Sequence, residues 1–262
     1  MTGTQANTDD VVERLKIEVA ACTRLMNLEG IMDYSGHVSA RVPGRDLFVI
    51  QDLDIPRAEV HPDNLLLADM DGEKIDGPDG LFPPAEVCIH SEILKARPDI
   101  NSVAHIHPDT AILFTLADGP QLAPVRNHAS RWSDGIPVHP DPAHINTPEL
   151  GKALAETLGS HDAALIRAHG IVVAAENVPA VLIDSVHFVE NAEAFYKAAQ
   201  LGPVLPLSAD EMESFLARFR RPRHVRKLWD YYVGRGIAVG LVPPEWAGIA
   251  EQALPEAYPQ GD

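Results

Sequence analysis

Short apolar runs alternate with longer amphipathic stretches along most of this chain, and this alternation is the feature that most restricts its fold. Runs such as SVAHIH (102–107) have the length of strands, whereas the stretch 10–30 carries apolar residues at helical spacing. No linker or internal repeat interrupts the pattern. The sequence therefore predicts a single α/β domain, which we place at residues 9–234, followed by a C-terminal tail at 235–262.

Periodicity, prolines and glycines place the main elements. AALIRAHGIVVAA (163–175) predicts two strands around a turn at His169 and Gly170. Asp10 and Glu13 have the spacing of a capping box at the start of the first helix. Further helices are predicted over 86–97, 179–201 and 209–232, the last of them broken near Pro222.

The charge of the chain restricts its partners. The formal net charge is −17, because 38 acidic side chains outnumber 21 lysines and arginines. Such a chain repels nucleic-acid phosphates and anionic membranes, so we expect neither as a partner. The basic cluster RFRRPRHVRK (218–227) fits either a local anion patch or a solvated helix surface. Two cysteines, no secretory leader and no apolar run of about 18–20 residues predict a cytoplasmic protein with reduced thiols.

Two histidines lie one residue apart in the strand SVAHIH. Side chains at i and i+2 of a strand project to the same face, so His105 and His107 would point together. They are either two ligands of one metal or two polar residues on a half-buried strand. His169 in RAHG also ends an apolar strand and is the candidate third ligand. Three imidazoles with an open fourth position are typical of catalytic zinc, and other divalent metals also use them.

The candidate catalytic group is Glu86 in PPAEVCIHSEILKARP, the first charged residue of a predicted helix. Carboxylates at this position often serve only to stabilise the helix through its dipole. The alternative is an acid/base beside the metal. Glu86 alone does not distinguish the two.

Together these segments resemble a known family. FPPAEVCIHSEILKARPDINSVAHIHPD followed by ALIRAHGIVV is similar to the class II aldolase/adducin family, and SGHVSARVPG resembles its glycine-x-x-serine-x-arginine turn. The resemblance spans residues 11–201. It implies an α/β/α sandwich with a central, mainly antiparallel sheet, and one divalent metal ion per subunit (Zn, Mn, Fe or Co). It also implies His105, His107 and His169 as metal ligands, Glu86 as acid/base, and a homotetramer with sites at its subunit interfaces.

Departures from the family pattern bear on the substrate. Sugar-phosphate aldolases of the family usually have two serines before the catalytic glutamate, where this chain has Pro84 and Ala85, and His37 replaces a phosphate-binding asparagine. Neither Pro84 nor Ala85 offers a hydroxyl. The PAE variant and TPELGKALAETLG resemble the branch that decarboxylates hydroxylated aromatic acids, such as dihydroxyphthalate. We therefore expect a metal-dependent decarboxylase acting on a small-molecule carboxylate.

Substrate-binding residues are predicted with less support from spacing. His37, Ser39 and Arg41 could bind the spectator carboxylate, although Arg41 could equally form a surface ion pair. A neighbouring subunit's aromatic often completes family sites, and Tyr231 and Tyr232 could supply it or could simply pack a helix. Residues of a loop-rich interval could also line the pocket, namely Arg126, His128, Arg131 and His144.

Two other functions remain open from the sequence. The first is an aldolase or epimerase acting on a small unphosphorylated hydroxy-carbonyl compound, which needs the same ligands and the same acid. The second is a non-catalytic, adducin-like interaction domain. Glu86 and the three histidines argue against the interaction domain.

Overall fold

The computed structural model describes residues 8–248. The helices in this part of the chain are α1 (Thr8–Leu28), α2 (Val87–Ala96), α3 (Asp109–Leu113), α4 (Pro148–Leu158), α5 (Val178–Ala199), α6 (Ala209–Leu216) and α7 (Arg221–Ala238). The strands are β1 (His37–Arg41), β2 (Leu47–Ile50), β3 (Leu66–Asp69), β4 (Lys74–Asp76), β5 (Ser102–Ile106), β6 (Val138–His139), β7 (Ala163–Ile166) and β8 (Gly170–Ala175).

All the described strands form one sheet in the order β4-β3-β2-β1-β5-β8-β7-β6. Every neighbouring pair is antiparallel except β6 and β7, which run parallel. Strands β1, β5 and β8 are therefore adjacent at the centre of the sheet, although they lie far apart in the chain. This adjacency positions the functional site.

Helices cover both faces of the sheet. Apolar side chains alternate between the faces with the two-residue period of a strand, so Val172 and Ala174 of β8 face one layer while Ile171 and Val173 face the other. The first layer contains α2 and α4, and the second contains α1, α5 and α7. The predicted single-domain α/β/α sandwich with a mainly antiparallel sheet is confirmed.

Two predicted boundaries need correction. Helix α1 begins at Thr8, so Asp10 lies inside its first turn and does not cap it. Helix α7 begins at Arg221, places Pro222 in its first turn and continues to Ala238, so the predicted tail boundary at residue 234 falls within a helix. Val242 and Trp246 beyond it are also buried. The segment 235–248 therefore packs on the domain, and only the predicted tail residues 249–262 lie outside the described part of the chain.

Cys22 and Cys88 are buried and free of disulfides. Within residues 8–248, no helix combines the length and apolar character needed to cross a membrane.

Candidate active site

Sheet pairing brings the three predicted histidine ligands together. His105 lies in β5 and is fully buried, and His107 follows directly after the last residue of that strand. Strand β8 pairs antiparallel with β5, with Ile171 opposite Ile106, and so places His169 beside them. The ring centroid of His105 lies 4.6 Å from that of His107 and 5.0 Å from that of His169.

The turn between β7 and β8 lets the histidines approach closely. A Cβ atom on Gly170 would lie 2.6 Å from the carbonyl oxygen of Ile106 and 2.7 Å from Cδ2 of His107. Ala168, immediately before His169, adopts a φ of 55°, a left-handed conformation that non-glycine residues rarely adopt. The turn therefore combines a position that only glycine fits with a strained backbone.

Glu86 faces these histidines and does not cap the helix that follows it. It directly precedes α2, and its side chain makes no hydrogen bond to the helix end. Its Oε2 lies 3.5 Å from Nε2 of His105, and its Oε1 lies 3.4 Å from Nε2 of His169. The backbone N–H of Ile145 donates to Oε1 at 2.9 Å. The geometry thus favours the acid/base interpretation of Glu86 over a purely structural one.

The charge of Glu86 follows from opposing effects. Burial alone would raise its pKa, because Glu86 is only 4% exposed. The close contacts with the His105 and His169 rings and the hydrogen bond from the N–H of Ile145 outweigh burial and hold the pKa of Glu86 below its ordinary value. The side chain is therefore a carboxylate near neutral pH.

The arrangement fits a divalent metal ion. Nδ1 of His105 donates to the carbonyl oxygen of Ile171 at 2.9 Å, which leaves the lone pair of its Nε2 directed toward His107. Nε2 of His107 lies 3.0 Å from Nε2 of His105. Nδ1 of His107 forms a hydrogen bond with Oγ of Ser35 at 2.9 Å. Burial lowers the pKa of His107 to about 4, so this ring is neutral, as a ligand must be. Ligand atoms of Glu86 and the three histidines all lie within 4.8 Å of one another.

A cavity of about 750 Å³ opens onto this cluster. Pro84 and Ala85 line it next to Glu86, so this part of the wall offers no side-chain hydroxyl. Arg57 is the only arginine or lysine among the described residues that line it. Arg57 is buried, and its guanidinium donates to the carbonyl oxygens of Gly36 at 2.8 Å and Ile55 at 2.6 Å.

His37 reaches the cavity at the end of a buried chain of hydrogen bonds. In β1 it lies opposite His105 of β5. Nδ1 of His37 lies 2.6 Å from Nε2 of His90, and Nδ1 of His90 lies 2.7 Å from Oγ of Ser39. Burial lowers the pKa of His37 and also lowers that of His90, to about 3, so both rings are neutral. These hydrogen bonds therefore fix the orientation of the His37 ring at the cavity wall.

Residues 17–196 match the family model described as the Class II Aldolase and Adducin N-terminal domain. The match covers more than half of the chain. The chain belongs to this family.

Curated relatives of this class II aldolase/adducin chain include different enzymes. A 3,4-dihydroxyphthalate decarboxylase of Rhodococcus jostii is 28% identical over 208 residues, which cover 74% of this chain and 84% of that protein. A 5-methylthioribulose-1-phosphate/5-deoxyribulose-1-phosphate aldolase of Rhodospirillum rubrum is 27% identical over 188 residues, covering 71% and 81% of the two chains.

Solved structures agree on the fold. An aldolase II superfamily protein from Pseudomonas syringae matches with a TM-score of 0.78 at 24% identity, covering 88% of this chain and 95% of that one. An L-fuculose 1-phosphate aldolase from Glaciozyma antarctica matches with a TM-score of 0.75 at 18% identity, covering 90% and 96%. At these identities the comparison establishes the class II aldolase fold.

Three of the predicted substrate-binding residues lie elsewhere in this class II aldolase fold. Ser39 is fully buried and supports His90, so it does not line the cavity. Arg41 donates to the carbonyl oxygens of Ile100, Leu94 and Arg97 at the end of α2, which replaces both the predicted carboxylate contact and the alternative ion pair. Tyr232 packs in the core on α7.

Of the other residues predicted to bind substrate or line the pocket, some line this cavity and some do not. Tyr231 is 55% exposed on α7 and does not line the cavity within the described chain, whereas His144 does. Nε2 of His144 lies 3.6 Å from Oε2 of Glu86. Arg126, His128 and Arg131 do not line this cavity.

Sequence reasoning missed Arg57, His90 and Ser35. His90 follows Glu86 by four residues, one helical turn, and that spacing was the available signal for a second polar group on the same face of α2. Arg57 and Ser35 lie in loops, where no periodicity indicates the direction of a side chain.

Proposed function

We propose that this protein is a metal-dependent carbon–carbon lyase that decarboxylates a hydroxylated aromatic carboxylate or dicarboxylate. The observation that carries the proposal is the placement of the Glu86 carboxylate within 3.5 Å of two imidazoles at an open cavity. The similarity to 3,4-dihydroxyphthalate decarboxylases supports the choice of reaction.

His105, His107 and His169 would hold one divalent ion, and zinc, manganese, iron and cobalt all accept such a donor set. The bound ion would supply positive charge next to an oxygen of the substrate, where charge develops when a carbon–carbon bond breaks. Three neutral imidazoles leave that positive charge uncompensated.

Glu86 would move the proton. As a carboxylate it first accepts the proton of the substrate hydroxyl ortho to the departing carboxylate. Glu86 then returns this proton to the ring carbon that bears the carboxylate, which makes that carbon tetrahedral and the former hydroxyl a ring carbonyl. The bond from this carbon to the carboxylate breaks, CO2 leaves, and the electron pair delocalises through the ring onto the oxygen, which solvent reprotonates. The net reaction consumes one proton, and Glu86 ends as the carboxylate with which it began.

Arg57 and His37 would orient the substrate. The guanidinium of Arg57 is the one permanent cation among the described lining residues, so we assign it the second, spectator carboxylate. His37, held by His90, would hydrogen-bond a ring hydroxyl. Ser39 and Arg41 would not bind the substrate, since Ser39 hydrogen-bonds His90 and Arg41 donates to backbone carbonyl oxygens.

The subunit arrangement is part of the same proposal. We infer a homotetramer with sites at its interfaces, as the family resemblance implies. Tyr231 is the aromatic available to a neighbouring subunit, since Tyr232 is buried in its own chain.

An aldolase is the second candidate function, and the similarity to the Rhodospirillum rubrum aldolase favours it. Proton transfer by Glu86 would serve that reaction equally. The wall formed by Pro84 and Ala85 argues against a phosphorylated substrate, because it offers no hydroxyl to a phosphate.

The first test supplies 3,4-dihydroxyphthalate and related hydroxyaromatic acids and measures CO2 release. We expect release that stops when a chelator removes the metal and resumes when metal is returned. Retro-aldol products from hydroxy-keto substrates without CO2 from any acid would replace this proposal with the aldolase. A purified protein without metal, and without a metal-dependent rise in melting temperature, would indicate the interaction domain.

A further inference from the structure

A second cluster of histidines lies outside the candidate active site. His128 is in the 3-10 turn Asn127–Trp132, and His187 and Glu190 are three residues apart on α5, hence on one face of that helix. The His128 and His187 rings stack with centroids 3.9 Å apart, and Nε2 of His128 lies 3.4 Å from Oε2 of Glu190. Ligand atoms of these three residues lie within 4.8 Å of one another.

Polar atoms in this region are buried without hydrogen-bond partners. Nε2 of His128, Nε2 of His224 and Oγ of Ser130 are all in this state. The three side chains line a cavity of about 370 Å³ together with His187. A buried polar atom without a partner typically costs about 1–3 kcal/mol. Several such atoms around one small cavity therefore indicate a site built for an occupant.

The charges around the cavity favour a cation as that occupant. The arginines beside it are already committed, since Arg221 bonds to Asp184 and Glu176, and Arg131 pairs with Asp162. An anion would find no free positive partner among these side chains. His128 and His187 pack as stacked rings, and the lone pairs of neutral imidazoles are ligands for a cation but not for an anion.

We infer that His128, His187 and Glu190 form a second site for a divalent transition-metal ion, separate from the one at Glu86. Two imidazole nitrogens and one carboxylate oxygen match the ligand preference of zinc or cobalt. Tetrahedral bonds of about 2.0–2.1 Å separate ligand atoms by roughly 3.4 Å. The ligand atoms of the three side chains therefore need to come closer to one another by about an ångström. The stacked rings must tilt apart, and the carboxylate of Glu190, 39% exposed, has room to turn.

Binding would fasten the turn 127–132 to α5. Oε2 of Glu190 also lies 3.5 Å from Nη1 of Arg126. Metal binding would break this ion pair at little cost, because Arg126 is 45% exposed and exposed ion pairs contribute little to stability. The ion would then replace a weak exposed pair with bonds that connect two elements. We accordingly expect the site to raise the stability of the folded chain.

The test measures Co²⁺ binding to the full chain, first stripped with a chelator, by calorimetry and by the visible absorption of the bound ion. Glu190→Gln keeps the size of the side chain but removes its charge. We expect Glu190→Gln to bind one equivalent fewer than wild type, and Co²⁺ to raise its melting temperature less. His128→Gln should lose the same equivalent, which guards against a folding defect peculiar to one variant.

The matched control is Glu193→Gln, three residues further along α5, where the carboxylate pairs with Lys197 at the surface. It should bind as much Co²⁺ as wild type. Equal stoichiometry in wild type, Glu190→Gln and His128→Gln would overturn the inference, whatever the active site binds. Because the comparison counts ions and needs no turnover, it is independent of the proposed reaction.

Discussion

At the scale of single residues, the chemistry depends on how Glu86 is surrounded. A carboxyl group buried among apolar atoms becomes neutral, whereas one that accepts several hydrogen bonds stays charged. Glu86 is buried, yet His105, His169 and the N–H of Ile145 hold it as a carboxylate. It therefore enters the proposed reaction as a base and becomes the acid only after it has taken a proton.

Glu86→Gln tests this role. Glutamine keeps the size of the side chain but cannot accept and return the proton. We expect kcat for CO2 release to fall about 10²- to 10⁴-fold. Glu92→Gln on the same helix, where the carboxylate pairs with Lys95, is the matched control and should retain kcat. Unchanged turnover in Glu86→Gln would remove Glu86 from the mechanism.

At the scale of elements, the hairpin of β7 and β8 determines the site as much as the histidines do. Residues 167–169 connect two buried strands in a tight turn, and β8 pairs directly with the strand that carries His105. The side chains are close because backbones are close. A substitution that separates β8 from β5 should therefore disturb all three histidines together.

Gly170→Ala is such a substitution. Its added methyl group would meet the His107 ring and the carbonyl oxygen of Ile106, and the Ile106 backbone cannot move without distorting the sheet. We expect the free energy of unfolding to fall by about 1–3 kcal/mol and metal retention to fall with it. Denaturant titration and metal analysis after dialysis would measure both. Gly119→Ala is the control, since a Cβ there meets no atom within 4 Å; equal behaviour of the two variants would refute the argument.

At the scale of the whole molecule, one buried acid makes stability depend on pH. Glu18 on α1 is 2% exposed, its Oε1 lacks a hydrogen-bond partner, and burial raises its pKa from 4.5 to about 7 despite the nearby Arg14. Between these two pH values the folded chain holds a proton that the unfolded chain has lost. The contribution of Glu18 to stability therefore becomes unfavourable as pH rises through this window, and reaches roughly 3 kcal/mol above pH 7.

Glu18→Gln removes this titration. The variant should exceed wild type in free energy of unfolding by roughly 3 kcal/mol at pH 8, and by much less at pH 5. Chemical denaturation at both pH values measures the difference. The exposed Glu13→Gln on the same helix should change stability only slightly at either pH. A gain from Glu18→Gln that is the same at pH 5 and pH 8 would contradict the assignment.

The sequence by itself determined the features that depend on local pattern. Helical and strand periods predicted a single α/β domain, and the H-x-H and H-G spacings together with Glu86 carried the resemblance to the family. Residue types and order made Glu86, His105, His107 and His169 candidates, and the family resemblance implied their roles. The structure brings their ligand atoms within 4.8 Å of one another.

Only the tertiary structure decided which way the other polar side chains point. His37 and Ser39 project from the same face of β1, yet His90 of α2 separates them, so His37 lines the cavity and Ser39 does not. Arg41 donates to carbonyl oxygens in the last turn of α2 and in the segment between α2 and β5, while Arg57 reaches the cavity from a loop. These outcomes follow from packing between elements distant in the chain, and spacing within one segment carries no record of what that segment will contact.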